Sequence, residues 1–515
     1  MSKLSDIVIV GGGSAGWMSA ATFVKAYPDS NVTIIESPDY PIVGVGESTY
    51  DGFRKWLDFL EIKEEDFVVD TDATYKLTIK FTDFRELNDG SFHYAFGNPC
   101  IPELSKSGIN DWFWRKRYNP EIECSEFNEV YYPSTHLANM DKMVDEYETF
   151  KLSRDSAFHI DAVKFGQWLK NNYCIPRGVN LIQDTMVNST VSENGIDTIT
   201  LKSGKVLTAD LFVDCTGWSS KLLGESLKEP FVDYTNFLPN NRAWATRIPY
   251  TNKSKELHPY TECTAINNGW VWNIPLWSRF GTGYVYSDKF IGPDDALQEF
   301  KDHLNCDTDE LEFKDISMRV GLHERIWVKN VLAIGLSAGF IEPLESNGLL
   351  SVHEFLLKFV DTVGKTYNGW DRDVFNLSAK SFFDDFAQFV ALHYAWSKRD
   401  DTKYWKYVTD MERLPYVQSK REMNTFFNTA SNAAFRSNQE WDYRYGYGPI
   451  AAGLDYNILG RLNAETWKDV LELTPEDIYD KLSNTALTQR NQWITDLTLE
   501  KTHEEYLNDR FYQGN

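Results

Sequence analysis

The sequence predicts an α/β fold with mixed sheets that gives way to a mainly helical C-terminal part, and three observations carry that prediction. The chain opens with a strand, a glycine run, a helix-forming segment and a second strand; two later apolar strands each run into a glycine turn; and helical patterning dominates after Trp370.

The opening unit reads as Ile7-Val8-Ile9-Val10, then glycines, a helix over Ala15 to Tyr27, and a strand Val32 to Ile35 that ends at Glu36. From Asn180 to Gly217 short alternating segments with turns at Asn194-Gly195 and Ser203-Gly204 predict a hairpin or meander that closes with the buried-type strand Leu211-Phe212-Val213. Val331 to Ile334 is another such strand, followed after Gly335 by a turn and an apolar helix from about Gly348 to Val363. Helical stretches follow at Ser381 to Trp396, Ala464 to Leu473 and Thr488 to Tyr506. The expected division is residues 1–365 and 366–515, with no repeat or low-complexity linker to mark it.

At 515 residues and 42% hydrophobic content the chain can bury a large core. Its net charge of −24 argues against sequence-independent nucleic-acid binding and against an anionic membrane surface, so any phosphate must be held by backbone amides. The six cysteines include no pair at CxxC spacing, which points away from a structural metal or a disulfide framework. Apolar runs are short and the first ten residues lack a secretory apolar stretch, so a soluble, cytoplasmic protein is expected.

Gly11-Gly12-Gly13-Ser14-Ala15-Gly16 supplies G-x-G-x-x-G between a strand and a helix, where backbone must approach a pyrophosphate closely. Glu36, about twenty residues beyond Gly16, stands where a carboxylate can accept from a ribose hydroxyl. FAD and NAD share that fingerprint. Further bare-backbone turns at Val43-Gly44-Val45-Gly46-Glu47, Asp214-Cys215-Thr216-Gly217 and Gly335-Leu336-Ser337-Ala338-Gly339 favour the more extended FAD.

Trp270, Trp272, Ile274 and Pro275 form a Trp-x-Trp-x-Ile-Pro pattern, and with the N-terminal glycine run it makes the chain resemble the flavin-dependent tryptophan halogenases. The resemblance continues through Tyr75 to Phe81, Phe96-Gly97-Asn98, His159-Ile160-Asp161, Phe340 to Ser346 and His393-Tyr394, over roughly residues 1 to 405. It implies an FAD-binding Rossmann-like module of the glutathione-reductase, monooxygenase-like type. It also implies an enzyme that uses FADH2, oxygen and a halide to make hypohalous acid, which travels through a tunnel to an aromatic substrate.

Alternation alone puts Lys76, Thr78 and Lys80 on one strand face, an arrangement equally suited to a solvated edge. The resemblance assigns the tunnel lysine to Lys76, not Lys80. It gives Glu345 the second essential role, beside the decoy Glu342. A buried ammonium can hydrogen-bond hypohalous acid or be halogenated itself, and a carboxylate can stabilise a cationic arenium or take its proton. The resemblance further implies FAD contacts at Gly11, Gly12, Gly13, Ser14, Ala15, Gly16, Glu36, Gly46, Glu47, Met186, Leu336 and Leu349. Halide contacts fall at Asn347 and Gly348, and substrate contacts at Tyr94, Phe96 and Ser346.

Three departures qualify the substrate. Asn347 replaces a usual Thr, leaving chloride, bromide and iodide open; Tyr94 replaces a usual His; and no Tyr-Tyr-Glu segment follows Trp405, so an indole or phenol other than free tryptophan is expected. No second G-x-G-x-x-G follows a strand, so a separate flavin reductase is the expected source of FADH2. An FAD-dependent aromatic monooxygenase and a degenerate FAD-binding protein are the alternatives, and a homodimer is left open.

Overall fold

A computed structural model describes residues 2–39, 46–102, 109–304, 306–414, 446–456 and 474–513. Its first sheet has six strands in the order Asn180–Gln183, Asn31–Glu36, Asp6–Val10, Leu211–Asp214, Val331–Ala333, Trp327–Val328. The first five are parallel and the last is antiparallel. Ile7 and Ile9 have no exposure and Val8 and Val10 almost none, because both faces of this sheet are covered; that is why the strand is apolar without alternation. The covering helix Ser14–Ala26 buries Trp17, Met18, Ala20, Ala21 and Phe23 completely. Removing a ring such as Phe23 from this packing costs about 3–5 kcal/mol.

The second sheet has seven strands in the order Lys314–Ser317, Arg242–Pro249, Arg279–Tyr286, Gly269–Pro275, Tyr260–Ile266, Thr78–Thr82, Ser91–Ala95. All its pairings are antiparallel except that of Tyr260–Ile266 with Thr78–Thr82. Gly283 sits opposite Trp272, and a Cβ there would lie 2.2 Å from the indole. The glycine makes room for the tryptophan.

A small third sheet joins Glu47–Ser48, Ala157–Ile160 and Thr74–Lys76. The stretch Tyr75 to Phe81, expected as one strand, therefore divides. Leu77 gives its N–H to Pro259 O at 2.8 Å and its carbonyl to Phe96 N at 3.1 Å, which turns the chain from one sheet into another. Lys76 ends the first segment fully buried, while Lys80, in the second, is partly exposed and reaches a partly exposed Glu262 at 3.3 Å.

Helix Gly369–Ala395 starts earlier than the expected Ser381, because Asn368 and Asp371 form a capping box. It packs on helix Leu350–Thr362 through Phe382 and Phe383 against Phe355. The helix expected over Thr488 to Tyr506 is also different. Helix Pro475–Leu497 stops, Lys501–Thr502 pairs with Lys142–Met143, and Thr502 caps a new helix His503–Leu507. The apolar period runs through the break, but a strand pairing and a second capping box end the first helix. Ala464 to Leu473 lies outside the described residues. Tyr512 returns to stack on Trp277 at 4.0 Å, tying the tail to the antiparallel sheet. Among the described residues no helix is long and apolar enough to cross a membrane.

Candidate active site

Three glycine turns meet at the carboxyl edge of the parallel sheet. Gly11, at φ +117°, has no room for a Cβ, which would sit 2.2 Å from Cys215 O; at Gly16 it would sit 1.9 Å from Gly11 O. Those two are required by the chain's own packing. Gly13 differs, because a Cβ there meets nothing within 4 Å. It is the N-cap of helix Ser14–Ala26, which has no side-chain cap, so open space adjoins a helix N-terminus suited to an anion. The residues present fit a dinucleotide pyrophosphate at that point.

Glu36 accepts from Trp17 Nε1 at 3.3 Å and from Lys170 Nζ at 2.5 Å. Lys170 was invisible in the sequence, being one lysine on an otherwise ordinary helical turn. Met186 starts the antiparallel ribbon just after Asp184, whose N–H bonds Glu36 O at 3.1 Å. Leu336 lies in the turn after strand Val331–Ala333, and Leu349 caps helix Leu350–Thr362. Asp214 is consumed by its own turn, accepting from the N–H groups of Thr216, Leu222 and Leu223. Val43 to Val45 lie outside the described residues.

A second constellation forms where the turns Gly46–Ser48 and Ser346–Gly348 face each other. Ser346, held at φ +59°, donates its Oγ proton to Ser48 Oγ at 3.0 Å. A Cβ on Gly348 would come within 2.7 Å of Glu47 Oε2, and burial pushes the Glu47 carboxyl up to about 7. Asn347 donates from Nδ2 to Ile341 O at 3.2 Å, while its buried Oδ1 has no partner.

Lys76 Nζ donates to Ser346 Oγ at 2.5 Å and to Thr49 O at 3.1 Å, and lies 4.9 Å from the centre of the Phe96 ring. Burial pulls its ammonium down to about 7, against the opposing pull of Glu345, Cys263 and Asp51. Asp51 is raised to about 7, again chiefly by burial. Phe96 meets Tyr50 at 5.0 Å and Tyr94 at 5.9 Å, and the Tyr50 and Tyr94 hydroxyls bond each other. Tyr50 carried no signal in the sequence.

Glu345 is fully buried, and its Oε1 lies 2.6 Å from His393 Nε2. His393 Nδ1 faces Phe389 O at 2.9 Å and must carry a proton there, so the short contact to Glu345 holds a second proton between carboxylate and ring. Glu345 Oε2 is buried without a partner. Glu342 behaves otherwise: its Oε2 accepts from Asn240, Trp270 and Tyr394 at 2.7, 2.8 and 2.6 Å. The first tryptophan of the aromatic motif thus fastens one oxygen of Glu342, whose Oε1 is, like Glu345 Oε2, buried without a partner. Among the described residues no His, Cys, Asp and Glu group could hold a metal.

The solved structures that share this fold include flavin-dependent halogenases, among them BrvH of Brevundimonas sp. BAL3 at a TM-score of 0.83 and 26% identity over 98% of this chain and 99% of that one. The apo structure of VirX1 superposes over 100% of both chains at a TM-score of 0.89 and 36% identity. A tryptophan 6-halogenase, SttH, from Streptomyces toxytricini superposes at 0.83 and 28% identity over 98% of this chain and 99% of that one. The tryptophan 6-halogenase ThaL of Streptomyces albogriseolus is 33% identical over 441 residues, 82% of each chain. The tryptophan halogenase family model matches residues 6–454, and the chain belongs to that family.

Proposed function

We propose that this enzyme places a halogen on an electron-rich aromatic ring of the indole or phenol type, with Lys76 and Glu345 as its catalytic residues. The observation that supports it is that Lys76 and Glu345, both without exposure, interact electrostatically, with Lys76 bonded to Ser346 and over the Phe96 ring. The turns at Gly11–Gly16 and Gly335–Gly339 would hold FAD, which in reduced form would supply the oxygen chemistry for hypohalous acid. Backbone N–H groups of the turn Asn347-Gly348 hold the halide, and a partner flavin reductase provides FADH2.

In the halogenation step the ring supplies the electron pair for the new carbon–halogen bond and hypohalous acid loses hydroxide. The ring carbon then loses its proton, and hydroxide leaves as water. The uncommitted nitrogen position of Lys76 holds the reagent, either as an N–H bonded to hypohalous acid or as the amine that takes up the halogen. Glu345 Oε2, free of protein donors, stabilises the positive charge on the ring and accepts the departing proton. Phe96 and Tyr94 present aromatic faces to a flat substrate.

The test is an aerobic assay with FAD, a flavin reductase, NADH, each halide separately and a panel of indoles and phenols that includes tryptophan. A halogen mass shift lost in Lys76→Ala supports the reading; oxygen insertion would replace it with a monooxygenase.

A further inference from the structure

The buried polar contacts of Lys76 continue well beyond Ser346. Ser48 Oγ, which accepts from Ser346, lies 2.7 Å from Thr261 Oγ1, and Thr261 Oγ1 lies 2.9 Å from His159 Nε2. His159 Nδ1 lies 3.1 Å from Thr74 Oγ1, which donates to Pro275 O at 2.6 Å. Every side chain in this row is at most 4% exposed. Pro275 is the last residue of the aromatic motif.

The far end fixes the direction of each proton. A carbonyl oxygen only accepts, so the Thr74 hydroxyl points at Pro275 and its oxygen accepts from His159 Nδ1–H. His159 is neutral, because burial, helped by Lys76 and His503, holds its imidazole well below the usual range. Its Nε2 therefore accepts from Thr261, Thr261 accepts from Ser48, and Ser48 accepts from Ser346. Ser346 has no proton left to give Lys76 and can only accept from it. Thr49 O, the other partner of Nζ, is a carbonyl under the same restriction.

We propose that Ser48, Thr261, His159 and Thr74 are positioning residues that hold two N–H bonds of Lys76 on fixed acceptors, leaving its remaining nitrogen position always uncommitted. As an ammonium that position is an N–H; as an amine it is the lone pair. Either state then presents its reactive feature to a reagent beside Phe96. The row ends on a carbonyl and cannot release a proton there, so it orients Lys76 and does not conduct. The inference rests on the role proposed above for Lys76. The charged and titratable groups facing Nζ are Glu345, Asp51, Cys263 and His159, and the test variants leave all four in place.

Thr261→Val keeps the side-chain volume and strand propensity but removes the link between Ser48 and His159. Ser48 can then turn its proton toward Ser346, and Ser346 its own onto the Lys76 lone pair. That contact favours the neutral amine, so the Lys76 midpoint falls by about one pH unit, the worth of one hydrogen bond. The readout is the Lys76 13Cε shift against pH in FAD-bound protein labelled at lysine Cε, assigned by the signal lost in Lys76→Met. Ser48→Ala removes the acceptor of Ser346 and lowers the midpoint in the same way, which keeps the test intact if Thr261→Val fails to fold. Thr261→Ser, which retains the hydroxyl, restores the wild-type midpoint. Unchanged midpoints in Thr261→Val and Ser48→Ala would overturn the proposal even if turnover fell. A Lys76→Ala enzyme that still halogenated would refute the role of Lys76 without moving these midpoints, so the two failures are distinguishable.

Discussion

Replacing Lys76 by Met should make the protein more stable and inactive at once. The ammonium has no exposure, and its midpoint falls from 10.5 to about 7 on burial, a difference that corresponds to roughly 5 kcal/mol. Met has similar length and no charge, but it forfeits the bonds to Ser346 Oγ and Thr49 O, about 1 kcal/mol each, which leaves a net gain of roughly 3 kcal/mol. The gain depends on pH in a defined direction. Between about 7 and 10.5 the unfolded chain holds a proton that folded Lys76 lacks, so wild-type stability rises with pH across that window and the penalty is complete only below it. Denaturation midpoints of wild type and Lys76→Met, compared at about pH 6 and 9.5, are the assay. Glu47 and Asp51 titrate in both proteins and largely cancel in the difference. The variant is expected to be the more stable at the lower pH and to lose that advantage at the higher one. A variant less stable at pH 6, or a difference that ignores pH, would refute the burial of an ionisable Lys76.

Glu345→Gln is expected to lower kcat by about 10²–10⁴-fold with FAD binding intact, measured by product formation and flavin fluorescence. Glu342→Gln should instead act on stability, lowering the melting midpoint because three donors converge on that oxygen. Gly13→Val should abolish FAD binding and leave the melting of the FAD-free protein unchanged, since its Cβ enters space the protein does not occupy. Glu47, raised from 4.5 to about 7, keeps a proton that the unfolded chain releases between those values, so stability falls as pH rises through them; Glu47→Gln should flatten that fall. With its carboxylate next to Gly348, the halide KM should rise above pH 7 in wild type and less in Glu47→Gln.

The strands Asp6–Val10, Leu211–Asp214 and Val331–Ala333 were legible because a parallel sheet covered on both faces leaves an unbroken apolar run in the sequence. The choice of Lys76 over Lys80 was not available from periodicity. It depends on a bend at Leu77 made by the backbones of Pro259 and Phe96, which no local pattern encodes. The same reason hid Lys170 beside Glu36, Tyr50 beside Tyr94, and the pairing of His393 with Glu345, contacts between elements far apart in the chain. Glu342 and Glu345 look alike in sequence. Only the structure shows that Asn240, Trp270 and Tyr394 converge on Glu342 Oε2 while His393 meets Glu345 Oε1, each carboxyl keeping its other oxygen without a partner.

The most direct test of the account is a side-by-side mass-spectrometric assay of wild type, Lys76→Ala and Glu345→Gln with reduced FAD, oxygen, bromide and an indole panel. The account predicts a brominated product from wild type, none from Lys76→Ala and a trace from Glu345→Gln, with oxidation of the reduced flavin continuing in all three. Equal bromination by Lys76→Ala would contradict it.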